Sequence, residues 1–163
     1  MRVAIVYASL SGNTEEVAEA LRDALSRSAT VEMIRATDVT DRTMLDHDHV
    51  YFGSYTWGDG KLPAEMRKAL RYILKGTSCP FRHASVFGTG DKQFVNYCRA
   101  VDEIAYHLEA HGRQLVLPHL KIEQSPRNRL PDVQHWGDAS IAFMERHVIR
   151  NRERGSTLCH SLV

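Results

Sequence analysis

Cysteine is scarce in this chain: Cys79, Cys98 and Cys159 are the only three in 163 residues, and no two form a C-x-x-C. Three thiols cannot all pair within one chain, so a disulfide framework and a zinc site are both poorly supported. The nine histidines show no H-E-x-x-H or other paired ligand spacing, and no metal is expected. Long apolar runs are missing too. Nothing approaches the roughly 20 residues of a membrane span, and the run Val3–Tyr7 is too short for a secretory signal, so a soluble, cytoplasmic protein is expected. Excess charge of either sign is absent, since the formal net charge is +1. That balance calls for neither a nucleic-acid nor a membrane partner. The nucleotide-binding signatures G-x-x-x-x-G-K-[ST] and G-x-G-x-x-G are both lacking. So are paired acids after the first apolar run, where Ala8-Ser9-Leu10 stands, which argues against a phosphotransfer receiver.

What is present is an alternation. Short apolar runs at Val3–Tyr7, Val31–Ile34, Val50–Gly53, Ala84–Phe87 and Leu115–Ile122 read as strands, several without alternation as expected for strands covered on both faces. Between them fall helical stripes: Val17, Leu21, Ala24 and Leu25; Met66, Ala69, Leu70, Ile73 and Leu74, with Pro63 suiting a first turn; Cys98, Val101, Ile104, Ala105 and Leu108, ending at Gly112. Trp136, Ala139, Ser140 and Phe143 mark a last helix, and Asp38–Asp48 shows no strong period and suits at most a short helical turn. Strand and helix in strict alternation predict an α/β fold, a three-layer α-β-α sandwich around a five-stranded parallel sheet. With right-handed crossovers the order 2-1-3-4-5 is expected, which places strand 5, interrupted by Pro118, at an edge where proline is tolerated. Residues 1–150 are expected to form a single domain, with residues 151–163 a frayed or disordered tail.

Ligands bind such sheets beyond the C-terminal strand ends, where the strand order reverses. Three unusual loops lie there. Ser9-Leu10-Ser11-Gly12-Asn13-Thr14 runs directly into a helix, whose free N–H groups and dipole favour an anion. One Ser, Asn or Thr suffices for a helix cap, and this loop offers four. It brings no lysine. The second loop, Ser54-Tyr55-Thr56-Trp57-Gly58-Asp59-Gly60, sets a tryptophan in a glycine-rich turn where burial is hard to arrange. The third, Thr89-Gly90-Asp91-Lys92-Gln93-Phe94, adds a second aromatic, with Tyr97 as the other candidate for the exposed ring. An anion cradle flanked by two aromatic loops calls for a flat aromatic ligand carrying a phosphate.

Ser9-x-Ser11-Gly12-Asn13-Thr14, Tyr55-Thr56-Trp57-Gly58-Asp59-Gly60 and Gly88-Thr89-Gly90-Asp91-x-x-Phe94 with Tyr97-Cys98 resemble the three FMN-binding loops of flavodoxins. Flavodoxins are themselves a standing example of ligand binding at the β1/β3 switch point. The similarity runs in order from Val3 to about Val148, without a long insertion in strand 5, so the chain looks like a short-chain flavodoxin. The resemblance implies a flavodoxin-like fold and a carrier, not an enzyme. It would shuttle single electrons through quinone, semiquinone and hydroquinone states of FMN, from a flavodoxin/ferredoxin reductase-type donor to an acceptor enzyme, as a monomer. It assigns the FMN phosphate to Ser9, Ser11, Asn13 and Thr14 with backbone at Leu10 and Gly12, and phosphate and ribityl contacts to Ser54 and Thr56. Trp57 and Phe94, the latter usually Tyr, would cover the two ring faces. Asp91 and the Gly90 backbone would meet the pyrimidine edge, and the Gly58 peptide would turn over toward N5. Tyr55, Asp59, Gly60, Thr89 and Tyr97 complete the implied contact set. A phosphate held by neutral dipoles alone keeps its negative charge beside the ring. That disfavours the anionic reduced flavin of this family and makes a strong one-electron donor.

Two features depart from the family. Lys92 stands where small or acidic residues are usual, and its charge is expected to make the hydroquinone couple less reducing. Flavodoxins are typically acidic, yet Glu65–Arg82 carries Arg67, Lys68, Arg71, Lys75 and Arg82 against the single acid Glu65. The chain end adds Arg146, Arg150, Arg152 and Arg154 against Glu153. A partner with an acidic docking surface is therefore expected, unless the basic residues only solvate a helix face. The other functional classes are a small FMN reductase acting on quinones or metal ions on the same fold, and a non-redox binding module.

Overall fold

The computed structural model describes residues 1–40, 47–76 and 81–149. The predicted tail 151–163, Cys79, Cys159 and most of the Asp38–Asp48 stretch lie outside them. Along the chain come β1 (Arg2–Ala8), α1 (Asn13–Leu25), β2 (Thr30–Arg35), a 3₁₀ turn (Ala36–Asp38), β3 (His49–Tyr55), α2 (Ala64–Lys75), β4 (His83–Gly90), α3 (Arg99–Ala110), β5 (Gln114–Leu115), β6 (Leu120–Glu123) and α4 (Leu130–Met144). The strands pair in parallel in the order β2-β1-β3-β4-β5, as the alternation predicts.

The fifth strand departs in detail. The expected single run Leu115–Ile122 is two short strands, β5 and β6, both parallel to β4 through Ala84↔Leu115 and Phe87↔Leu120. Pro118 stands in the gap. It has no N–H for the ladder, while its carbonyl accepts a 2.9 Å bond from the Trp136 indole, which ties the break to α4. Pro63 also sits one place earlier than expected, immediately before α2 rather than in its first turn.

Side-chain alternation along β1 divides the core. Ala4, Val6 and Ala8 pack under α2 and α3 with Met66, Leu70, Ile73, Val101, Ile104 and Leu108. Val3, Ile5 and Tyr7 pack under α1 and α4 with Val17, Leu21, Leu25, Val133 and Trp136. Every residue of the predicted α1 and α3 stripes is buried. Gly112, with φ +73°, follows α3 and donates to the Glu109 carbonyl, so the left-handed turn ends the helix as foreseen. Gly53 has a packing reason: a Cβ there would lie 2.1 Å from the Phe87 ring.

His49, at the start of β3, is buried with one ring nitrogen 3.0 Å from the Ser85 hydroxyl and Nδ1 without a partner. Burial, aided by the neighbouring His83 charge, pushes its pKa from 6.5 down to about 3. Below about pH 6.5 the unfolded imidazole binds a proton that the folded one refuses, so stability falls as the pH drops toward 3. The slope from this group is about 1.4 kcal/mol per pH unit. Urea denaturation across this range should give a shallower loss of stability for His49→Gln than for the wild type; equal slopes would contradict it.

Candidate functional site

The order β2-β1-β3-β4 brings the loops after β1, β3 and β4 to one edge of the sheet. In the first loop Gly12 takes φ +95° and precedes α1 without a side-chain cap bond. Its conformation suits glycine alone among common residues. Ser9 Oγ accepts from the Glu15 N–H at 3.3 Å, deeper in the first turn, so the earlier N–H groups have no capping side chain from Gly12. Leu10 and Ser11 are exposed, and Asn13 opens the helix half-buried. Thr14 is buried, and its hydroxyl lies 2.7 Å from that of Thr89, which fastens the first loop to the end of β4.

The second loop is a tight hairpin. Trp57 and Lys61 exchange backbone bonds of 2.9 and 2.8 Å, with Gly58 at φ +49° and Gly60 at φ +92° in the turn between them. The hairpin holds the Trp57 ring out, 54% exposed and edge-on to Tyr55 at 6.3 Å. Tyr55 gives its hydroxyl to Glu65 at 3.0 Å; burial first, then this carboxylate, pushes the phenol up to about 12. In the third loop Phe94 is the exposed ring, at 64%, while Tyr97 is half-buried beneath Lys92.

Between the second and third loops lies a cavity of about 240 Å³, lined by Thr56, Gly58, Asp59, Gly90, Asp91, Phe94, Asn96, Tyr97 and Cys98. Seven of these nine were legible in the sequence. Asn96 was missed; its amide donates 2.8 Å to the Asp59 carbonyl and joins the two loops. No local pattern marks it, because its partner lies 37 residues away. Cys98, read as core, is buried beneath the cavity, and burial drives its thiol up to about 11, so it is inert as a nucleophile.

Several of the expected site residues have partners within the protein. Ser54 is fully buried and its hydroxyl donates to the Tyr55 carbonyl at 2.8 Å. Thr56 Oγ1 accepts from Ala100 N–H at 3.3 Å while lining the cavity, and so caps α3. Asp91 accepts from Gln93 N–H at 2.8 Å and from the Gln124 amide at 3.4 Å. Lys92 is not a free charge: its ammonium lies 3.4 Å from the Glu123 carboxylate, which offsets much of the expected field.

The flavodoxin family profile matches residues 5–136. The chain is 37% identical over 131 residues to "Probable flavodoxin 2" of Bacillus subtilis, covering 77% of this chain and 83% of that protein. It is 35% identical over 147 residues to a flavodoxin of Nitratidesulfovibrio vulgaris, covering 87% and 98%. The solved structure of oxidised flavodoxin 2 from Bacillus cereus superimposes with a TM-score of 0.77 at 33% identity, covering 90% of this chain and 99% of that one. The chain belongs to the flavodoxin family. As a flavodoxin it is an FMN-binding electron carrier rather than an enzyme with a substrate of its own. Among the described residues no helix is long and apolar enough to cross a membrane, and no group of His, Cys, Asp and Glu is placed to hold a metal.

The Thr14–Thr89 pair is the direct brace between the flavodoxin's first and third loops. Thr89→Val strands a buried hydroxyl at Thr14, so unfolding should cost about 1–3 kcal/mol less, and Thr14→Val with Thr89→Val should recover part of that loss. Urea denaturation of the four proteins checks it; a double variant no more stable than the worse single would count against the brace.

Proposed function

We propose that the three loops hold FMN, and that residues 1–150 act as one cytoplasmic domain passing single electrons from a flavodoxin/ferredoxin reductase-type donor to an acceptor enzyme. One observation carries the reading. Two large aromatic rings, Trp57 and Phe94, stand more than half exposed beside a cavity whose other walls are mostly hydroxyl, amide, carboxylate and glycine groups. Exposing two such rings costs hydrophobic free energy that a flat ligand restores.

The residues fit the group. The α1 N-terminus presents N–H groups and a positive helix end to a phosphate. Ser9, Ser11, Asn13 and Thr14 surround it, with Leu10 and Gly12 in the chain between, and no side chain there is a cation. The arginines that reach the first turn of α1 are already matched: Arg35 bonds Glu15 at 2.7 Å, and Arg127 reaches Glu16 at 3.4 Å. A bound phosphate therefore keeps its own charge. Trp57 and Phe94 would cover the ring, Asp91 and the Gly90 backbone would meet its polar edge, and Thr56 and Tyr97 would line the space between. The Gly58 carbonyl accepts from Gly60 N–H at 2.9 Å, and a Cβ at Gly58 would meet nothing within 4 Å. Turning that carbonyl toward a bound ring would cost the Gly60 bond, and glycine at this φ +49° position carries no Cβ penalty for the turn. FMN supplies the redox chemistry, and the protein positions it and sets its field.

Adding FMN to the apoprotein should give a yellow complex that takes up electrons in two separate one-electron waves. Trp57→Ala should weaken FMN binding about tenfold or more. A protein that ignores FMN would overturn the reading, and rapid NADPH oxidation by the protein alone would favour the reductase alternative.

Because Lys92 and Glu123 form a pair, removing either exposes the other. Lys92→Ser should lower the potential of the second wave and Glu123→Gln raise it, each on the order of tens of millivolts. The double variant should return close to the wild type. Spectroelectrochemical titration checks this, and no shift in either single variant would show that the pair does not reach the ring.

A further inference from the structure

On the α2–α3 side of the sheet a second cavity of about 240 Å³ shares no lining residue with the cofactor loops. Its apolar wall is Leu62, Leu70 and Leu74, and its polar wall is Arg67, Arg71 and Lys75. The three cations follow at i, i+4 and i+8 on α2, so they form a straight ladder rising about 6 Å per step. Two histidines of the α3 end, His107 and His111, close the far side. Among the described residues no acid lines this groove. Among the described residues none of the three cations meets a carboxylate, and only Arg67 has a protein bond, to the Leu62 carbonyl at 3.1 Å. The opposite layer is different: Arg22, Arg27 and Arg129 each pair with an acid.

The geometry points to this groove as the docking site for an acidic protein segment with aliphatic anchors, belonging to the redox partner. The inference rests on the carrier reading and says which face the partner grips. Charge complementarity identifies the occupant: three unmatched cations along an apolar trough are completed by carboxylates beside one or two buried aliphatic side chains. The groove also begins at the root of the Trp57 hairpin, because Leu62 follows Lys61, whose backbone pairs with Trp57. A segment seated there brings the rest of its protein over the cofactor edge. A nucleic acid fits less well. Among the described residues the lining has no Phe, Tyr or Trp ring, the broader platforms on which a base stacks, and the chain as a whole is nearly neutral. A second copy fits less well again, because acids such as Asp23, Asp132 and Asp138 are already engaged by arginines.

The probe is a short synthetic peptide of glutamates carrying two leucines, titrated calorimetrically into the FMN-loaded protein at low salt. Its control is the same peptide with glutamines. The glutamate peptide should bind, more weakly as salt rises, and the glutamine peptide should not. The variant Arg71→Glu with Lys75→Glu changes two exposed residues outside the cofactor loops. It should weaken the glutamate peptide about tenfold and leave flavin content and spectrum unchanged. Equal binding of both peptides, or an unchanged affinity in the variant, overturns the proposal. So does tighter binding of a single-stranded oligonucleotide than of the peptide, or self-association by sedimentation that the variant abolishes. Flavin content separates the two readings. A protein that holds FMN but ignores the peptide loses the docking groove alone; one that binds the peptide but never FMN loses the carrier reading.

Discussion

Parallel pairing of β1, β3 and β4 is the constraint on which the rest depends. Parallel neighbours cannot be joined by a tight turn, so their connections must cross over the sheet, here by α1, α2 and α3 where a helix intervenes. Every strand then ends at the same edge. Because β1 lies between β2 and β3, chain direction across the sheet reverses beside it, which opens a crevice that no helix covers. The phosphate-type loop, the tryptophan hairpin and the Phe94 loop are neighbours for that reason alone, although Ser9 and Phe94 are far apart in the chain. The Thr14–Thr89 hydroxyl pair and the Asn96–Asp59 bond then fix loops that the sheet has already gathered.

Charge is distributed against this frame in two ways. Around the first turn of α1, among the described residues, arginines meet acids in Arg35–Glu15 and Arg127–Glu16, so the proposed phosphate site would work through the helix dipole rather than a side-chain cation. Along α2 the cations stay unmatched among the described residues. The separation suits a carrier. In the proposed reading a neutral cradle would preserve the cofactor's own charge, whereas an unmatched ladder on the other helix layer would offer orientation to a partner without altering the site.

Much of this was legible in the sequence because it rests on local periodicity. The helical stripes and the apolar strands state which faces are buried, and Pro118 agrees with the edge position that the strand order gives its strand. The exposed Trp57 and Phe94 were legible because a glycine-rich loop cannot bury such rings. What escaped were pairings between distant residues. Nothing near Lys92 announces Glu123, and nothing near Asn96 announces Asp59. Ser54 shows the reverse: its motif position suggests a ligand contact, while the pleat at the end of β3 turns its hydroxyl inward to the Tyr55 carbonyl. The split of the fifth strand followed from the same proline that had been read only as an edge marker.

The central claim is that a lysine-free helix N-terminus holds an anionic phosphate by neutral donors. The most direct measurement compares FMN with riboflavin, its phosphate-free counterpart, for affinity to the apoprotein by fluorescence quenching. If the cradle works as described, FMN binds tighter by orders of magnitude, and charge-assisted bonds to several N–H and hydroxyl groups supply the difference. Equal affinities for the two flavins would contradict it.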